Sequence, residues 1–145
     1  MVNLPATRLV PAAQSIRVYL VEDSAAIRER MCSLLASLDG IDLAGEAATA
    51  AGAIIGILDT RPDAVLLDIH LAQGNGIDVL RALHAQAPDI VFIVVTNLTN
   101  SQYREACLAA GASHFIDKST ELDRLSPLLA ALVATRRQSP PPLQA

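Results

Sequence analysis

Acidic, hydroxyl and amine side chains stand at the ends of apolar runs in this chain, and that placement is its first sign of chemistry. Ala64-Val65-Leu66-Leu67 runs into Asp68, Val21 runs into Glu22-Asp23, Val94-Val95 runs into Thr96, and Phe115-Ile116 is closely followed by Lys118. If the runs are parallel strands, their C-terminal ends share one edge of a sheet, which is where open α/β folds place their sites. Carboxylates, a hydroxyl and an ammonium then meet in one crevice. Carboxylates crowded together raise one another's pKa unless a cation neutralises them. A hard ion such as Mg2+ suits this set, because it accepts a few carboxylates and keeps waters and phosphate oxygens as its other ligands. A single acid at a strand end reads equally well as a solvated loop charge or a helix cap. For Glu22, Asp23 and Asp68 together with Lys118, that bland reading needs several coincidences.

The elements that must position these residues alternate along the chain. Ile16 to Val21 reads as a strand, and Ser24 as the N-cap of a helix with Ile27, Met31, Leu34, Leu35 and Leu38 at helical spacing, ending at Gly40. Ile41 to Gly45 is the second strand, and Thr49 opens an Ala-rich helix that stops before Pro62. Ala64 to Leu67 delivers Asp68 to a loop with Gly74 and Gly76, and Asn75 caps the next helix, which stops near Pro88. Ile90 to Val95, the most β-branched segment, is the best central strand. A loop through Asn97 and Asn100 leads to a helix ending at Gly111, then to a short strand around His114 to Ile116. Pro127 interrupts the last helical stretch, so Glu121 to Leu125 reads as a loose turn, with Ser126 as N-cap and Pro127 as the first helical residue. Repeated strand-helix alternation implies right-handed crossovers and a doubly wound, five-stranded parallel α/β sheet of order 2-1-3-4-5, in which the first and third strands are neighbours.

Composition agrees with that architecture. The chain has 145 residues, enough for one domain; 52% are hydrophobic and only 3% aromatic, so Ala, Leu, Ile and Val must build the core. A net charge of -4 gives no basic footprint for nucleic acid. Cys32 and Cys107 lack metal-ligand spacing and read as reduced, packed thiols of a cytoplasmic protein. No run approaches a membrane span. Residues 1–14 read as a flexible extension, 15–136 as the domain, and 137–145, with Pro140, Pro141 and Pro142, as a Pro-rich tail.

Together the motifs Val21-Glu22-Asp23-Ser24, Leu66-Leu67-Asp68, Val94-Val95-Thr96 and Phe115-Ile116-Asp117-Lys118-Ser119 resemble those of receiver domains in the two-component response regulator family, a CheY-like, flavodoxin-like fold. The likeness covers about Ser15 to Arg136. It is strongest to receivers that precede helix-turn-helix output domains, although no such output follows within these residues. The resemblance implies a switch in which Asp68 takes a phosphoryl group from a histidine kinase or histidine phosphotransfer protein. Asp23 would bind Mg2+ directly, Glu22 through water, and the backbone carbonyl of His70 would add a ligand beside Asp68. Lys118 would pair with Asp68 before transfer and with the phosphoryl oxygens after it. Thr96 would then donate to a phosphoryl oxygen and pull its loop inward, vacating space into which Phe115 swings. The implied activity is limited to the chain's own phosphorylation and dephosphorylation, and the implied output is control of an effector protein or self-association, without direct nucleic-acid or membrane contact.

Several positions depart from the family pattern. Ala72 stands where a proline is usual, Ser119 replaces the common proline after Lys118 and puts the cis peptide often found there in doubt, and Asn97 follows Thr96 where Ala or Gly is more usual. His70 sits beside the site, where it reads either as an influence on phosphoryl lifetime or as a plain loop histidine. His84 and His114 take no phosphotransfer role. Three rival readings come from other classes. A haloacid-dehalogenase-like phosphatase needs an acid two residues after the nucleophile, where this chain has His70. A DNA-binding regulator needs a helix-turn-helix after the last helix. A degenerate receiver used only as an interaction module stays open on the strength of Ala72 and Asn97.

Overall fold

A computed structural model describes residues 15–138, and the expected extension at 1–14 and the three prolines of the tail lie outside them. Five strands, β1 (Ile16–Val21), β2 (Ile41–Ala47), β3 (Ala64–Leu67), β4 (Val91–Thr96) and β5 (His114–Asp117), alternate with five helices. The helices are α1 (Ala25–Ser37), α2 (Ala50–Thr60), α3 (Gly76–Leu83), α4 (Ser101–Ala110) and α5 (Leu125–Gln138). All pairings are parallel and the order is β2-β1-β3-β4-β5, as the alternation predicts.

Successive strand side chains point to opposite faces, and this splits the core in two. Tyr19, Val21, Val65, Leu67, Phe92, Val94 and Phe115 pack with α2, α3 and α4 on one face. Val18, Leu20, Leu66, Ile93, Val95 and Ile116 pack with α1 and α5 on the other. β3 is buried at every position, whereas the edge strand β2 is buried only at Ile41, so the acids that follow the inner strands β1 and β3, Glu22 and Asp68, are both buried.

Side chains start four of the helices, three of them at the expected Ser24, Thr49 and Asn75 and the fourth at Asn100. Ser24 Oγ, Thr49 Oγ1, Asn75 Oδ1 and Asn100 Oδ1 accept the main-chain N–H groups of Ile27, Gly52, Asp78 and Tyr103. The start of α5 differs from expectation. A single 3-10 turn at Leu122–Arg124 runs directly into a helix that begins at the buried Leu125, so Ser126 is its second residue rather than its cap. Pro127 is tolerated there because N–H groups in a first turn need no intrahelical partner. α5 then continues through Arg137 to Gln138.

Candidate functional site

The β1–β3 pairing sets Val21 beside Leu67, so the residues that follow them, Glu22 and Asp68, emerge together at the C-terminal edge of the sheet. β4 brings Thr96 to the same edge and β5 brings Lys118, whose main-chain N–H donates to Thr96 O at 2.8 Å. Glu22, Asp23, Ser24, Ile27, Asp68, His70, Thr96, Asn97, Leu98 and Lys118 line a crevice of about 240 Å³. The crevice unites Glu22, Asp23, Asp68, Thr96, Lys118 and His70, and leaves Phe115 outside its wall.

Asp68 is only 6% exposed and its main-chain N–H donates to Val21 O. Its Oδ2 lies 2.7 Å from Lys118 Nζ, and its Oδ1 accepts the His70 N–H at 3.2 Å. Lys118 Nζ also donates to Glu22 Oε1 at 2.7 Å, so one ammonium joins two buried carboxylates. Burial disfavours the Lys118 charge, but hydrogen bonds to Asp68 and Glu22 outweigh it and the pKa rises above the ordinary lysine value. Burial also raises the Glu22 carboxyl, against the pull of Lys118 and of the Ser24 N–H that donates to its second oxygen at 3.1 Å.

Oxygens of Glu22, Asp23 and Asp68 lie within 4.8 Å of one another. Half-buried Asp23 has no hydrogen-bond partner among the described residues. An all-oxygen donor set with one open carboxylate fits a hard divalent ion that keeps several waters. Lys118 supplies one positive charge for three acids, which leaves the cluster short of neutral.

Thr96 is fully buried, and its Oγ1 accepts the Leu98 N–H at 3.2 Å. A threonine hydroxyl has a proton to donate as well as lone pairs, so it can keep this bond and still donate into the crevice. Phe115 is 4% exposed and packed in the α2/α3/α4 core, with the Arg104 guanidinium 5.4 Å from its ring centre. The ring therefore already occupies the interior in this structure. His70 is exposed and paired across a bridge with Asn75. The described residues contain no cis peptide. The turn at Ser119 is instead tied by Asp117 Oδ1, which accepts both the N–H and the hydroxyl of Ser119, while the Asp117 N–H donates to Glu121 Oε1.

Two residues that shape the site escape a reading by residue type. Gly76 approaches so closely that a Cβ there would sit 2.4 Å from Asp68 O, and its N–H donates to Ile69 O. Arg28 Nη1 donates to Glu22 O at 2.8 Å. The only sequence signals are a second glycine in a short loop and an arginine in the first turn of α1.

A family description of the response regulator receiver domain matches residues 18–130. This chain belongs to that family. Among curated relatives, the DNA-binding transcriptional activator DevR/DosR of Mycobacterium tuberculosis is 33% identical over 103 residues, covering 71% of this chain and 48% of the relative. A protein-glutamate methylesterase/protein-glutamine glutaminase of Clostridium acetobutylicum is 31% identical, covering 83% of this chain and 35% of its own length. The receiver thus spans about half the length, or less, of these curated relatives. Among solved structures, a LuxR-family two-component response regulator from Aurantimonas has a TM-score of 0.77 at 28% identity, covering 84% of this chain and 87% of that one. The response regulator domain of Thermotoga maritima CheB has a TM-score of 0.73 at 28% identity, covering 88% and 99%. No described helix is long and apolar enough to cross a membrane.

Proposed function

We propose that this receiver is a phosphorylation-activated switch whose acceptor is Asp68, loaded by the phosphohistidine of a histidine kinase or phosphotransfer protein. The observation that carries the reading is a buried Asp68 carboxylate bound to Lys118 and grouped with Glu22 and Asp23 at the C-terminal edge of the sheet. Asp23, Asp68, the His70 carbonyl and, through water, Glu22 would hold Mg2+. The ion would supply positive charge to the phosphoryl oxygens and the crowded acids.

In the transfer step an Asp68 oxygen bonds to phosphorus as the N–P bond breaks, and its electron pair returns to the partner's imidazole. The product is an acyl phosphate. The His70 N–H holds Asp68 Oδ1 in place, while Lys118 exchanges its contact with Oδ2 for a phosphoryl oxygen. This is catalysis by positioning and charge neutralisation. A groove lined by Ile27, Arg30, Met31, Leu34 and Leu122 borders Lys118 and gives the donor protein an apolar surface beside the acceptor.

The readout follows the phosphoryl group. Thr96 donates to it, its loop moves, and the packing of Phe115 beneath Arg104 changes, altering the face built from α4, β5 and α5. The receiver catalyses no reaction beyond gain and loss of its own phosphoryl group, and it acts through an effector protein or a second copy.

Purified protein should label from acetyl phosphate only with Mg2+, and Asp68→Asn should abolish labelling. Equal labelling in excess chelator would remove the metal from the reading. Labelling that persists in Asp68→Asn would move the acceptor elsewhere, and no labelling of the wild type under any condition would favour an interaction module.

A further inference from the structure

The two acids expected to hold the cation hang from a turn, Glu22-Asp23-Ser24, between β1 and α1, and the bonds that fix this turn can be followed one by one. The Glu22 N–H donates to Ala47 O at 3.0 Å, the Ser24 N–H to Glu22 Oε2, and Ser24 O accepts the Arg28 N–H at 2.8 Å. The carbonyl of Glu22, the peptide that leads into Asp23, is held by Arg28 Nη1 at 2.8 Å. The same guanidinium donates from Nε to Glu46 Oε1 at 2.9 Å. The other oxygen of Glu46 accepts the Cys32 thiol at 3.4 Å, one helical turn beyond Arg28 on α1. One planar group therefore spans from the Glu22-Asp23 peptide to β2, and α1 holds the far carboxylate a second time.

We propose that Arg28 is a positioning residue for cation binding. It fixes the Glu22-Asp23 peptide so that the Asp23 carboxylate is preset toward Asp68, and Glu46 fixes Arg28. The inference rests on the reading of Glu22 and Asp23 as cation-holding residues. Position and charge predict opposite signs here, and this makes the role measurable. As a positive charge near three acids, Arg28 should weaken cation binding, so on charge alone its removal tightens binding. As a clamp, its removal loosens binding. Lysine keeps the charge but lacks the rigid fork that spans the Glu22 carbonyl and Glu46 together, so Arg28→Lys separates the two effects.

The test is calorimetric titration of the full chain with MgCl2, paired with thermal unfolding in chelator. Arg28→Ala and Arg28→Lys should each weaken Mg2+ binding about 10-fold, a size usual for residues that orient metal ligands, and Glu46→Gln should weaken it less. Unchanged or tighter binding by Arg28→Ala, with wild type binding normally, overturns the proposal. So does a lower melting temperature in chelator with unchanged Mg2+ affinity, which would make the clamp purely structural. If wild type itself binds no Mg2+, the reading of Glu22 and Asp23 fails along with the proposal. Should Arg28→Ala not fold, Arg28→Lys and Glu46→Gln give the same decision.

Discussion

Glu22 is held from two sides, by Lys118 and by the Ser24 N–H, while Asp23 has no partner among the described residues. The difference has an energetic sign. Because burial raises the Glu22 pKa, the folded chain holds that proton more tightly than the unfolded chain does. Glu22 thus favours folding below its ordinary value of 4.5, and that contribution is lost as pH rises through the raised folded value. Glu22→Gln should therefore melt at a higher temperature than wild type in chelator at pH 7, with the gap closing near pH 4; a lower melting temperature at pH 7 would show that the Lys118 pair outweighs burial. In the proposed sequence of events Thr96 acts after transfer. Thr96→Ala should still label from acetyl phosphate but lose the amide-exchange response, at a stability cost of about 1 kcal/mol for the bond to the Leu98 N–H. Failure of Thr96→Ala to label would reverse the assigned order. The acids, Thr96 and Lys118 were legible in the sequence because a strand-end position follows from topology alone. Arg28 was not, because its role depends on where a long side chain reaches.

The junction of β3 and α3 shows how little room the elements leave around Asp68. Gly76 lies against the Asp68 carbonyl in ordinary backbone space, so its need is proximity rather than a special φ. Gly76→Ala should push the acceptor loop away, lower stability by about 1–3 kcal/mol, and slow labelling from acetyl phosphate at saturating Mg2+. Stability and labelling like wild type would mean that the loop yields freely. Helix starts at Ser24, Thr49 and Asn75 could be read from the chain, since a capping side chain is a local signal. The start of α5 could not. What sets it is Leu125, drawn into the core between α1 and the sheet, and tertiary burial of this kind overrides the local preference of Ser126-Pro127. The closeness of Gly76 to Asp68 was equally hidden, because sequence marks a glycine without saying what approaches it.

For the whole molecule, strand order was legible because five strand-helix units of this length have few ways to wind. The response of the assembled surface was not. Arg104, Glu105, Asp123 and Arg124 are exposed on the face formed by α4, β5 and α5, a mix of signs that suits a second copy or a polar partner. Beryllium fluoride with Mg2+ should therefore increase the sedimenting mass or slow amide exchange between Tyr103 and Leu129. No change in either would count against a switch on this face. The crevice also carries information about time. Lys118 bonds to partners 96 and 50 residues earlier in the chain, so Asp68 and its ammonium partner meet only when β5 has been laid beside β4 at the far edge of the sheet. Such non-local closures come late in folding. A nascent chain that has already emerged through Asp68 still lacks the charge that completes the crevice, and on the proposed function competence to receive a signal arrives with the finished fold.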